Sequence, residues 1–227
     1  MTPDEQIRKQ ILDHLSWDAR VHAAEVRVMC EGGRVVLAGS VPSHAGRWAA
    51  EQGAWGVPGV RMVHNRLAIR YPAEAEVPAD DEIAINIRSK LLWNSDIDAS
   101  NIEVAVAAGV ATLEGTADSY WKKVKAEILA YDVIGVTQVE NKLAVVPTRN
   151  IVDEAIGEDI VDALARSGAV DLEDIDVQVE SGVVTLSGTV PDARALRIAR
   201  DAAAHTAGVV DVKSELEIGK AEAKFYF

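Results

Sequence analysis

A chain of 227 residues, 48% hydrophobic and 26% charged, has the composition of an ordinary soluble globular protein rather than a disordered or fibrous one. Its net charge of −13 argues against a nucleic-acid partner, because phosphate contacts would have to overcome a repulsive field. The single cysteine, Cys30, excludes an internal disulfide.

In chain order, the first element is a helix. Ile7, Ile11 and Leu15 recur every four residues, and Thr2, Pro3 and Glu5 supply an N-cap, a first-turn proline and the partner of a capping box. A strand follows, with Val26, Val28 and Cys30 alternating with Arg27 and Met29. The pair Gly32-Gly33 predicts a tight hairpin turn, and a second strand buries Val35 and Leu37. Ser43 is placed to cap a second helix whose small residues Ala50 and Ala54 would let it approach a sheet closely. Gly59-Val60 is expected to end that helix, with the glycine in the left-handed position after it. A last strand carries Val63, Asn65, Leu67 and Ile69 on its inward side.

The pattern then recurs without a gap. Gly39, Gly115 and Gly188 sit in matching phrases, offset by 76 and then 73 residues, and each is followed 20 residues later by a Gly-Val pair. Ile83, Ile87, Leu91 and Ile156, Ile160, Leu164 repeat the first helix, and Ser119 and Asp192 repeat the second cap. Asn150 is a candidate cap for the third copy. The expected organisation is a first domain over 1–70, a linker at 71–79, a second domain over 80–146, a linker at 147–150, a third domain over 151–219 and a tail over 220–227. The fold class is α+β: three tandem α-β-β-α-β domains, each a three-stranded mixed sheet with two helices on one face. Units this small hold marginal cores and are expected to lean on one another.

Gly182-Val-Val-Thr-Leu-Ser-Gly-Thr-Val190, Ala207-Gly-Val209 and Val139-Glu-Asn-Lys-Leu143 resemble the BON domain, a family named for bacterial osmotically induced and nodulation proteins. The first copy departs slightly, with Ala38-Gly39-Ser40 and Gly32-Gly33, and the second has Ala117 in place of the final valine. The resemblance implies a non-enzymatic module that binds phospholipid or associates with membranes, and brings no catalytic residues with it.

The residues themselves point to no catalytic site, metal or cofactor. Four histidines (His14, His22, His44, His64) lie in the first copy and His205 in the third, without the close pairing of a zinc site. Asp171, Glu173, Asp174 and Asp176 lack the glycine and terminal glutamate of an EF-hand loop. Gly56-Val-Pro-Gly59 matches a KH-type Gly-x-x-Gly but has no basic residue. Asn65, Asn141 and Ser214 share an inward position and are expected to hydrogen-bond the neighbouring chain.

Function is sought where the copies differ. Residues 1–78 are neutral overall, 79–150 carry −4 and 151–227 carry −9. On the outward sheet face, Arg27 and Arg66 in the first copy align with Asp176 and Glu215 in the third, which makes these four residues candidates for an inter-domain or self-association contact. All five tryptophans, Trp17, Trp48, Trp55, Trp93 and Trp121, lie in copies one and two. They suit a headgroup interface or a protein partner, or they fill the contact between those two copies. The partner expected is therefore a phospholipid or membrane surface, with another protein or a second copy of the chain as the alternative, and no transmembrane segment or nucleic acid. Starting at Met-Thr-Pro-Asp-Glu, the sequence as written is expected in the cytoplasm, or in the periplasm if it is a trimmed mature form. The ending Phe225-Tyr226-Phe227 is read as a docking strand or a frayed tail.

Overall fold

The computed structural model describes residues 2–72, 75–149 and 151–219. The candidate cap Asn150 and the terminal Phe225-Tyr226-Phe227 lie outside them. The first repeat runs α1 (Pro3–Trp17), β1 (Val26–Glu31), β2 (Arg34–Val41), α2 (His44–Trp55) and β3 (Met62–Ile69). The second runs α3 (Asp80–Leu92), β4 (Ile102–Ala107), β5 (Val110–Ala117), α4 (Tyr120–Tyr131) and β6 (Gln138–Val145). The third runs α5 (Asp153–Ser167), β7 (Ile175–Glu180), β8 (Val183–Val190), α6 (Ala193–His205) and β9 (Asp211–Ile218). The expected α+β class of three small mixed sheets is what the chain forms. Residues 1–146 form one compact unit holding the first two repeats, and 147–227 form another.

In every repeat the middle strand pairs antiparallel with the strand before it and parallel with the strand after it. The hairpin between the first two strands has only two residues, so both must turn left-handed to match the twist of the strands. They do, at φ +58° and +78° for Gly32-Gly33, +49° and +75° for Ala108-Gly109, and +52° and +76° for Ser181-Gly182. The parallel return needs a crossover, and the second helix supplies it.

Both helices of a repeat lie on the inward face of its sheet. Ile7, Ile11 and Leu15 of α1 are buried with Val35 and Leu37 of β2 and with Ala50 and Ala54 of α2. The same set recurs as Ile83, Ile87, Leu91, Ala111, Leu113, Ala126 and Ala130. Alanine at the helix–sheet contact leaves room for the leucines beneath it, which is the close approach that the small-residue spacing predicts.

Two local expectations meet a different structure, and a third feature explains the repeated glycines. The second helix stops at Trp55, Tyr131 or His205, and Gly59, Gly135 and Gly208 (φ +92°, +100° and +90°) lie in the loop beyond. They turn the chain into the last strand, and do not terminate the helix itself. Ser43 and Asp192 cap their helices through Gly46 N–H (3.1 Å) and Ala195 N–H (2.8 Å), whereas the Ser119 hydroxyl donates to Asp118 (3.0 Å) and caps nothing. Gly39, Gly115 and Gly188 are strand residues. With φ near +120°, each passes so close to the preceding turn that a Cβ would be driven into the carbonyl oxygen of Glu25, Asn101 or Asp174.

One repeated device has no counterpart in the hydrophobic pattern. Asp4, Asp80 and Asp153, each in the first turn of its repeat's first helix, reach across to the hairpin and accept from both of its turn amides. The distances are 2.9 and 3.2 Å at Gly32 and Gly33, 2.7 and 3.0 Å at Ala108 and Gly109, and 2.7 and 2.8 Å at Ser181 and Gly182. The left-handed turn points two N–H groups the same way, and a carboxylate matches that pair. For Asp4 these bonds hold the carboxyl below its ordinary range.

Candidate functional site

The five tryptophans divide by exposure. Trp17 closes α1 and Trp93 caps α3, at equivalent points of their repeats, and each is 89% exposed. Leu92, next to Trp93, is 69% exposed, and Ile85, two helical turns earlier on the same face, is also open. Trp48 on α2 is 52% exposed. Trp55 packs half-buried against the core of the first repeat. Trp121 is half-buried too, with the Lys122 ammonium 5.7 Å from its ring centroid.

Two ion pairs lie close to the most exposed rings. Beside Trp17, Arg20 forks onto Asp18 at 2.7 and 2.9 Å, which pulls the Asp18 carboxyl down to about 2. Near Trp93, Lys90 reaches Asp132 at 3.3 Å. Each of these two indoles therefore stands beside an ion pair, and a paired charge costs less to desolvate than a lone one.

Contact between the first and second repeats includes His44, Tyr71 and Tyr131. His44, at the start of α2, stacks on Tyr131, at the end of α4, with centroids 4.3 Å apart and planes inclined by 14°. The Tyr71 hydroxyl, just after β3, donates to the Val136 carbonyl at 3.1 Å. Tyr131 packs against the cores of both repeats. Burial holds the His44 imidazole below its ordinary pKa; the Arg47 charge adds to this, and Asp132 and Glu51 oppose it.

The inward asparagines make the expected bonds, though they are half-buried, not enclosed. Asn65 Nδ2 donates to the Arg47 carbonyl (3.0 Å) and to Glu51 (3.1 Å), and its Oδ1 accepts from Leu67 N–H (3.2 Å). Asn141 repeats this with Lys123 (2.8 Å), Glu127 (3.2 Å) and Leu143 (3.3 Å). Ser214 departs from the expectation: it is exposed, because a shorter side chain neither reaches the helix nor fills the gap.

On the opposite, open faces of the sheets, strand register lines up the charged candidates. Arg27 and Arg66 flank Ala38 in one row, and Asp176 and Glu215 flank Ser187 in the equivalent row of the third repeat; all four are exposed.

Among the described residues no group of three His, Cys, Asp or Glu side chains could hold a metal ion, and no helix is long and apolar enough to cross a membrane. Cys30 is half-buried, its thiol donates to Asp4 at 3.4 Å, and burial first, then that carboxylate, push its pKa up, away from nucleophilic use.

Three α-β-β-α-β units, each with a glycine-pinned middle strand and an open sheet face, define a protein of tandem small modules. The chain belongs to the BON domain family, whose model matches residues 3–71, 79–147 and 152–220. It is 30% identical over 141 residues to osmotically-inducible protein Y of Escherichia coli, covering 61% of this chain and 68% of that protein. It is 27% identical over 138 residues to the outer membrane lipoprotein DolP of Haemophilus influenzae, covering 60% and 71%. The solved structure of CdsD, a structural protein of the type III secretion system of Chlamydia trachomatis, is matched loosely, with a TM-score of 0.28 and 16% identity over 96% of this chain and 94% of that one.

Proposed function

We propose that this protein is a non-enzymatic binding module of the bacterial envelope that associates with phospholipid surfaces through the exposed tryptophans of its first two repeats. The observation that carries this reading is the pair Trp17 and Trp93, at equivalent helix ends and 89% exposed. An indole is amphipathic and settles where an apolar layer meets water, so a large ring held out in solvent beside paired charges suits a headgroup boundary. Leu92 and Ile85 extend the apolar area around Trp93. The names of the two curated relatives, one osmotically inducible and one an outer-membrane lipoprotein, support an envelope role and a setting there; they lend nothing to the cytoplasmic expectation.

With a net charge of −13 the chain gains little from an anionic membrane's field, so binding rests on insertion and not on electrostatics. Vesicle flotation tests this, with phosphatidylcholine alone and with added phosphatidylglycerol. Flotation on phosphatidylcholine that survives high salt, with tryptophan emission shifted to the blue, is the expected result, and Trp17→Ala with Trp93→Ala removes both. Protein that stays at the bottom of the gradient on both lipids, with emission unmoved, overturns the reading.

A further inference from the structure

The open faces of the three sheets carry different charge although their backbones repeat. On the first, Arg27 and Arg66 sit in one register row, and the next row holds Met29, Val36 and His64. Met29 is exposed, as is His64, so this face is basic with an apolar centre; Glu31 sits opposite Arg34 at one end, and Glu25 accepts from the Ser40 hydroxyl at the other. On the third, Asp176, Glu180, Asp211 and Glu215 all point outward and are exposed, and Lys213 is a single opposing cation. The second face engages its cation internally: Lys142 lies 3.2 Å from Glu140 and 3.7 Å from Glu114, with Glu103 exposed in the same row. Among the described residues, the ion pairs seen on that middle face have no counterpart at Arg27, Arg66, Asp176 or Glu215.

We propose that the open sheet face of the first repeat docks onto the open sheet face of the third repeat in a second copy of this chain. The occupant follows from complementarity. A face built around Arg27 and Arg66 needs a carboxylate-rich surface of the same dimensions, and the third repeat presents one on the same backbone with the same strand spacing. The row centres are small, Ala38 on one side and Ser187 on the other, so the sheets approach without a bulky side chain between the charged pairs. Each copy carries one basic and one acidic face, so the contact joins two different surfaces. The contacts close into a ring or continue head to tail according to the rotation between copies, and attraction between opposite faces speeds encounter and fixes register.

Neither the tryptophans nor lipid enters this contact, so it is tested on the full chain without vesicles, and its failure leaves the lipid reading untouched. Sedimentation velocity over a range of concentrations at low salt is expected to show mass rising above the monomer, and falling back at high salt. Arg27→Glu with Arg66→Glu gives a chain with two acidic faces, and Asp176→Arg with Glu215→Arg gives one with two basic faces. Each double variant alone is expected to weaken association by about tenfold or more, and mixing the two restores it, because each then supplies the face the other lacks. Circular dichroism checks that both variants keep the fold. A wild-type chain that stays monomeric at every concentration overturns the proposal, as does association that neither reversal weakens. A monomer whose thermal stability falls with either reversal, and recovers when all four are combined in one chain, assigns the contact to the two faces of a single molecule and overturns the second-copy occupant.

Discussion

His44 of the first repeat stacks on Tyr131 of the second at 4.3 Å, and this pair, with the Tyr71–Val136 hydrogen bond, joins two repeats that are otherwise separate small cores. The contact is titratable. Because burial lowers the folded pKa of His44 below its ordinary 6.5, the unfolded chain binds the proton more readily. The stabilisation is fully present above about pH 6.5 and is lost as pH falls through the lower folded value. All five tryptophans lie within residues 1–146, so their emission reports on this unit alone. Melting followed by tryptophan emission is expected to show a midpoint that drops between about pH 7.5 and about pH 5.5. His44→Phe keeps the stack and shrinks that drop.

Gly39, Gly115 and Gly188 are expected to resist substitution far more than Gly32. At Gly39 an alanine meets the Glu25 carbonyl and must also hold φ at +118°, so Gly39→Ala should cost about 2–4 kcal/mol. Gly32 has φ +58° with open space around it, and Gly32→Ala should cost about 1 kcal/mol. Urea unfolding of the two variants measures the gap, and equal midpoints would remove the close-approach argument.

The aspartate clamp makes a separate prediction. Asp80→Ala strips the acceptor from the Ala108 and Gly109 amides and should cost about 1–2 kcal/mol, with faster hydrogen exchange at both amides. At Asp4 the carboxyl is held low by the same bonds, chiefly Gly32, so its contribution is present above its ordinary value of 3.8 and is lost as pH falls through the lower folded one. Exchange at the Gly32 and Gly33 amides should therefore accelerate as pH is taken down through that range, beyond what the chemistry of exchange alone gives.

The repeat made most of the fold legible. Ile7, Ile83 and Ile156 fall at one helical position and Leu37, Leu113 and Leu186 at one strand position, so a burial pattern read in one copy was checked in two others. The aspartate clamp was open to the same reading, since Asp4, Asp80 and Asp153 each precede the strand glycine by 35 residues, but its partners lie 28 and 29 residues away with no periodicity to flag them. The His44–Tyr131 stack was not legible at all. Its residues belong to different copies, and the equivalent of Tyr131 is Trp55 in the first copy, which turns to its own core, and Ala204 in the third. A contact made once has no repeat to announce it. Tryptophan exposure escaped for a related reason: spacing fixes a helix face, but whether that face meets another element depends on the neighbour.

The asparagine clasp gives a test in which one repeat is rebuilt on another's pattern. Asn141 joins β6 to α4 through the Lys123 carbonyl and Glu127, and Asn141→Leu should cost about 1–3 kcal/mol, because the carbonyl and Leu143 N–H both lose a partner in a half-buried place. In the third repeat the equivalent positions are Ser214 and Arg200, so the serine is too short and the glutamate is replaced by a cation. Ser214→Asn alone recovers the carbonyl bond but sets its amide against Arg200, and should change stability little. Adding Arg200→Glu completes the donor and acceptor set, and the double variant should exceed the sum of the singles by about 0.5–1 kcal/mol. Additive changes in this cycle, read by circular dichroism melts, would mean that the clasp depends on backbone spacing between helix and strand that the third repeat does not share.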